Sequence, residues 1–77
     1  MFHVYALKSL ERNYIYVGLT ENIEERFHRH NSGRECTTAS YRPFRLLYTE
    51  TIETRIEARC REKQLKSSVG KIFLKSL

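Results

Sequence analysis

Aspartate is missing from this chain. All nine acidic residues are glutamate, so any carboxylate chemistry falls to Glu side chains. Cysteine occurs only twice, as Cys36 and Cys60, without the close C-x-x-C spacing of a zinc knuckle or redox motif. Adding His3, His28 and His30 produces no standard finger spacing, so neither structural zinc nor a thiol nucleophile is expected. Cys60 shares a stripe with Ile56 and is expected to be inert packing. Two cysteines and no basic-then-apolar leader predict reduced thiols in a cytoplasmic protein. No apolar run approaches the roughly 20 residues that a bilayer demands. Repeats, linkers and low-complexity segments are also lacking. The 77 residues leave room for one domain, 1–77. A chain of that size buries roughly 60% of its unfolded surface, so every apolar face matters.

What the chain does have is positive charge. Fourteen Lys and Arg against nine Glu give a formal net charge of +5, which favours a polyanionic partner. Aromatic residues make up 12%, too many for a disordered tail.

Phe2 to Leu7 and Tyr14 to Val17 are rich in β-formers and separated by a short polar link, which predicts an antiparallel hairpin. If residues 5 and 16 pair, Tyr5 and Tyr16 share one face. Asn22 and Glu25 form a capping box ahead of a helix over 23–31, with Gly33 as its stop. Residues 34–42 carry no period and read as a loop. Pro43 opens a third strand over 44–49, where Phe44, Leu46 and Tyr48 would face one way and Arg45, Leu47 and Thr49 the other. Thr54 and Glu57 form a second capping box, for a helix running to about Ser67. Ser68 would cap a last short helix over 69–76 with Ile72 and Phe73 turned inward. The order β-β-α-β-α-α predicts an α/β fold, a three-stranded, mainly antiparallel sheet flanked by helices.

Glu62 is the most informative side chain. It lies in line with Ala58 and Leu65 on the second helix, and a carboxylate on an apolar stripe must be paired, hydrated or metal-bound. The pairing candidates are Arg59, Lys66 and Arg26. Tyr5 and Tyr16 are either half-buried strand aromatics or phenols poised near a cation, which would lower a pKa otherwise near about 10. Arg26 and His30 stand one turn apart on the first helix. The arginine fork matches phosphate oxygens, and an imidazole can share a proton with a phenol.

In this order the residues resemble the GIY-YIG nuclease superfamily, in particular its small stand-alone bacterial branch, over nearly the whole chain. His3-Val4-Tyr5 resembles the first signature triplet, with His3 in the glycine's place, and Tyr16-Val17-Gly18 the second. Leu19 stands where the excision-repair branch has lysine. The segment Glu25 to Gly33 is similar to that branch's first helix and stop, Arg42-Pro43 with Arg45 to Tyr48 to its third strand, and Glu57-Ala58 through Lys66 to its second helix. The resemblance implies phosphodiester cleavage with one divalent metal, Mg²⁺ or Mn²⁺, held by Glu62. It implies that Tyr5 or Tyr16 activates water, that Arg26 binds the scissile phosphate and that His30 fills the family's His or Tyr position. One carboxylate suffices for Mg²⁺ when water and phosphate complete the octahedron.

The leading expectation is therefore metal-dependent, endonuclease-like hydrolysis of low sequence specificity, on DNA ahead of RNA, with no membrane partner. Arg29, Arg34, Arg42 and Lys66 are expected to contact phosphates. A non-catalytic nucleic-acid-binding module on the same fold is the alternative, and a subunit that binds only protein is the third.

Overall fold

The structure is a computed structural model that describes residues 1–35 and 38–77. Its elements run β1 (Phe2–Ser9), β2 (Ile15–Thr20), α1 (Ile23–Asn31), a 3-10 turn (Ala39–Tyr41), β3 (Phe44–Ile52), α2 (Arg55–Lys66) and α3 (Ser68–Lys75). The strands form one antiparallel sheet in the order β2-β1-β3. The α/β architecture is the expected one, with β3 three residues longer than its pattern suggested.

The central strand explains the layering. Val4, Tyr5, Ala6 and Leu7 are buried in succession, so both faces of β1 are covered. On one face Val4, Ala6 and Val17 meet Ala58 and Leu65 of α2 and Leu74 of α3. On the other, Tyr5, Leu7 and Phe44 pack with Tyr16, Phe27 of α1 and Tyr41. Burying one leucine such as Leu65 stabilises the fold by about 1.5–3 kcal/mol.

Local chemistry sets the helix starts. The Asn22 side chain accepts a hydrogen bond from the Glu25 backbone N–H at 3.2 Å, and Thr54 Oγ1 accepts one from that of Glu57 at 3.3 Å. These are the two capping boxes' first halves, each worth about 1 kcal/mol. Gly33, at φ +81°, ends α1 in the left-handed region that favours glycine. The far end of α1 is then pinned to β3. The Phe44 backbone N–H donates to Asn31 Oδ1 at 2.6 Å, and Asn31 Nδ2 donates to the Phe44 carbonyl at 3.3 Å.

Four local expectations need correction. In the hairpin, Tyr5 pairs with Gly18 and Leu7 with Tyr16, an offset of two from the assumed pairing. Because the offset is even, Tyr5 and Tyr16 still share a face. In β3 the strict alternation fails. Ala6 pairs with Tyr48 but Leu7 with Leu46, so Leu47 is an unpaired extra residue. That bulge sends Tyr48 to the α2/α3 face while Phe44 stays on the Tyr5 face. In α3 it is Gly70 and Leu74 that turn inward, whereas Ile72 is 69% and Phe73 40% exposed. Its cap is Ser67, whose hydroxyl accepts from the Gly70 N–H at 3.3 Å. Gly70 lies against the Gln64–Leu65 backbone, and that contact decides which side of α3 is buried. Finally, Cys60 and Ile56 are exposed rather than packed, and Cys36 lies outside the described residues.

Candidate active site

Strand β2 is an edge of the sheet, and a cleft of about 480 Å³ wraps around that edge. Tyr5 and Tyr16 reach it from one face and Leu19 and Phe2 from the other, while Arg26 comes from α1 and Glu62 from α2. The concavity therefore lies at the rim of the sheet, not over its middle.

Gly18 makes this possible. A Cβ there would fall 2.6 Å from the Tyr5 hydroxyl and 2.7 Å from its Cζ. The Tyr5 ring thus lies across the bare backbone of β2 and carries its hydroxyl to the sheet edge, the reason position 18 must lack a side chain.

Behind the cleft the Tyr5 hydroxyl meets His30 Nε2 at 3.2 Å, and His30 Nδ1 meets Thr38 Oγ1 at 2.8 Å. Tyr16 packs its ring 4.6 Å from the imidazole and 6.2 Å from the Tyr5 ring. Burial pushes the Tyr5 phenol well above the usual tyrosine range, with Tyr16 adding to the effect and Arg26 opposing it. Burial also holds His30 below the ordinary histidine range; Glu35 pulls the other way, and Arg26 and Arg29 push it further down. His30 is 1% exposed and does not line the cleft. It supports Tyr5 from beneath.

Arg26 and Arg29 both hold Glu35, each at 3.3 Å. These are partly exposed pairs and weak ones. Glu62 keeps only 14% of its side chain exposed and pairs with Lys66 at 3.3 Å, one turn on. Of the three candidate partners, Lys66 is the one found; among the described residues Glu62 pairs with neither Arg26 nor Arg59.

The four residues expected to contact phosphates, Arg29, Arg34, Arg42 and Lys66, are not among those lining the cleft. Arg29 is engaged with Glu35, Lys66 with Glu62, and the Arg42 guanidinium lies over Gly33. Arg34 is exposed on the segment after α1. None lines the cleft, but Arg55 and Arg59 do. Arg55 escaped the sequence reading and Arg59 entered it only as an ion-pair partner. The signal was present: residues 55, 59 and 62 fall on one side of a helix by the i, i+4, i+7 rule.

Among the described residues no three His, Cys, Asp or Glu side chains cluster closely enough to hold a metal by themselves. The donor set suits a hard cation that keeps most of its water. The open polar cleft is lined by three carboxylates, Glu21, Glu25 and Glu62, and by the Arg26 guanidinium that would hold a phosphate, with no imidazole or thiolate among the lining residues.

A sheet edge that brings paired tyrosines, a helix arginine and a second-helix glutamate to one cleft defines a GIY-YIG-type site. The model of the GIY-YIG catalytic domain matches residues 1–75, and the chain belongs to that family. Function of nuclease type, with nucleic acid as substrate, follows at that level. The chain is 36% identical over 66 residues to a UPF0213 protein of Staphylococcus haemolyticus, covering 84% of this chain and 79% of that protein. It is 37% identical over 67 residues to a UPF0213 protein of Clostridium perfringens, covering 86% and 71%. The solution NMR structure of a UPF0213 protein from Bacillus halodurans superposes with a TM-score of 0.58 at 31% identity, over 99% of this chain and 84% of that one. These relatives form a small stand-alone bacterial family. Among the described residues no helix is long and apolar enough to cross a membrane.

Proposed function

We propose that the protein is an endonuclease of low sequence specificity that hydrolyses nucleic-acid phosphodiesters, DNA ahead of RNA, with one Mg²⁺ or Mn²⁺ held by Glu62. The observation that carries this reading is the convergence of the Tyr5 phenol, the Arg26 guanidinium and the Glu62 carboxylate on one cleft from three different elements.

Arg26 takes the non-bridging oxygens of the scissile phosphate. A phosphate offers more charge and a better match to the guanidinium fork than Glu35, and so displaces it. Tyr5 is a neutral phenol at rest, because burial opposes its ionisation. It therefore works as a relay. Its oxygen accepts the proton of the attacking water while its own proton passes to His30 Nε2, 3.2 Å away. His30 is suited to receive it. Burial keeps the imidazole neutral, and an Nδ1–H donated to Thr38 Oγ1 leaves the lone pair on Nε2. The water oxygen bonds to phosphorus as the bond to the departing oxygen breaks, and that oxygen takes its proton from solvent water in the open cleft while His30 later returns its own to solvent. Tyr16 fixes the imidazole by packing on it and also lines the cleft. The chemistry a cation supplies at Glu62 is neutralisation of charge on the phosphate and the departing oxygen. Contacts of this kind are to the backbone, which carries no sequence information.

The test is incubation of the purified chain with single-stranded and structured DNA and RNA, with Mg²⁺, Mn²⁺ or EDTA. Internal cleavage that needs the metal is expected. Glu62→Gln should abolish it, melt within a few degrees of the parent, since the one ion pair lost is to a Lys66 ammonium that stays open to solvent, and bind nucleic acid in EDTA at least as tightly. Undiminished cleavage by Glu62→Gln refutes the proposal.

A further inference from the structure

Arg55 and Arg59 are the cleft cations left without an internal role. Both are exposed, both line the α2 wall, and among the described residues neither forms an ion pair. The facing wall is of opposite sign, since Glu21 and Glu25 line it from the start of α1. A nucleic-acid backbone leaving the point between Arg26 and Glu62 therefore finds one favourable wall, that of α2. At its far end lies the N-terminus of this 12-residue helix, whose dipole adds positive potential beside Arg55.

The spacing is also suitable. Four residues of α-helix rise about 6 Å, and the seven from Arg55 to Glu62 about 10 Å. The first interval is close to one nucleotide step of an extended strand, so successive phosphates meet successive arginines.

We propose that the Arg59–Arg55 face of α2 is a track for two consecutive phosphates of a nucleic-acid strand on one side of the scissile bond. It makes the site selective for polymers over mononucleotide-sized phosphodiesters. The position of the bond rests on the hydrolase reading above; the track itself does not.

Binding of a short fluorescein-labelled oligothymidylate is followed by anisotropy in EDTA across a salt series. The proteins are the parent, Arg55→Gln, Arg59→Gln, the double variant and Lys75→Gln, a control that loses one exposed charge of α3, away from the cleft. The slope of log Kd against log salt should shrink by about 0.7 for each cleft arginine removed, the value for one phosphate contact on a single strand. It should not change in Lys75→Gln. In the presence of Mn²⁺, the ratio of kcat/KM for the oligonucleotide to that for the p-nitrophenyl ester of thymidine monophosphate should fall about tenfold per arginine, the worth of a charged hydrogen bond. An unchanged slope in a folded double variant overturns the track, whether or not the parent cleaves. An equal loss in Lys75→Gln overturns it too, by showing only bulk charge. A reduced slope with no cleavage by the parent keeps the track and removes the hydrolase.

Discussion

Replacing Gly18 by alanine moves Tyr5 without deleting any functional group. The new methyl would sit 2.6 Å from the Tyr5 hydroxyl and 2.7 Å from its Cζ, where ordinary contact begins at 3.4 Å, so the ring must retreat by about 0.8 Å. It cannot simply swing aside, because Tyr5 is 2% exposed and packed against Leu7 and Phe44. Overpacking of this sort costs about 1–3 kcal/mol. Straining the 3.2 Å contact with His30 adds up to about 1 kcal/mol. Alanine's gain over glycine in a strand offsets roughly 0.5–1 kcal/mol. The net loss is about 1–3 kcal/mol, and at about 4–8 °C per kcal/mol for a domain of this size the melting temperature should fall by about 4–24 °C. Cleavage should suffer more, since a misplacement near 1 Å can cost about a hundredfold. Thermal melts and single-turnover cleavage read the two effects. The diagnostic control is Tyr5→Val: with that ring gone only the Tyr16 Cε2 contact at 2.9 Å opposes the methyl, so Gly18→Ala should cost clearly less, a coupling visible in a double-mutant cycle. Equal costs of Gly18→Ala in both backgrounds, or none in either, would falsify the placement of Tyr5 across β2.

The buried imidazole gives the fold a pH dependence. Its folded pKa lies below the unfolded value of about 6.5, so the unfolded chain binds protons first, and stability present above that pH is lost as pH falls toward the lowered value. Urea unfolding should show this decline between neutral and mildly acidic pH, and His30→Gln should flatten it; an unaltered profile would count against a buried neutral His30. Glu35→Gln releases Arg26 and Arg29 from their shared partner. Two partly exposed pairs of about 0.2–1 kcal/mol each imply a few-fold tighter binding of nucleic acid at low salt, measured by anisotropy. No change would mean that Glu35 does not compete with phosphate.

The cleft's place at the sheet edge matters for the chemistry. Tyr5 and His30 belong to the packed face under α1, whereas Glu62 belongs to the helix on the other face. Only at the rim of β2 can groups from both layers meet one phosphate. In the proposed mechanism the side under α1 would supply Tyr5, His30 and Arg26, and α2 the Glu62 carboxylate.

The sequence by itself determined what depends on neighbours within one or two turns. The bounds of α1 follow from Asn22 and Gly33, and the start of α2 from Thr54. The stripe of Ala58, Glu62 and Leu65 follows from helical period, and the common face of Tyr5 and Tyr16 from strand parity, which survives a register error of two. Tyr5, Tyr16, Arg26, His30 and Glu62 were singled out by position and resemblance, and four of the five line one cleft. Tertiary structure decided the rest. The unpaired Leu47 flips the second half of β3, and nothing in an alternating apolar run marks where a strand will bulge. In α3, Val69, Ile72, Phe73 and Leu74 offer apolar surface on more than one side, so only the contact of Gly70 with α2 selects Leu74. The charge pairs are the clearest case. Glu35 meets Arg26 and Arg29 only because the chain after α1 folds back beside that helix, and Arg55 and Arg59 could face the cleft only once α2 and the edge of β2 were brought together across more than thirty residues of chain. Period and propensity act through bonds a few residues apart, while electrostatic partnership depends on distances that the packed layers alone establish.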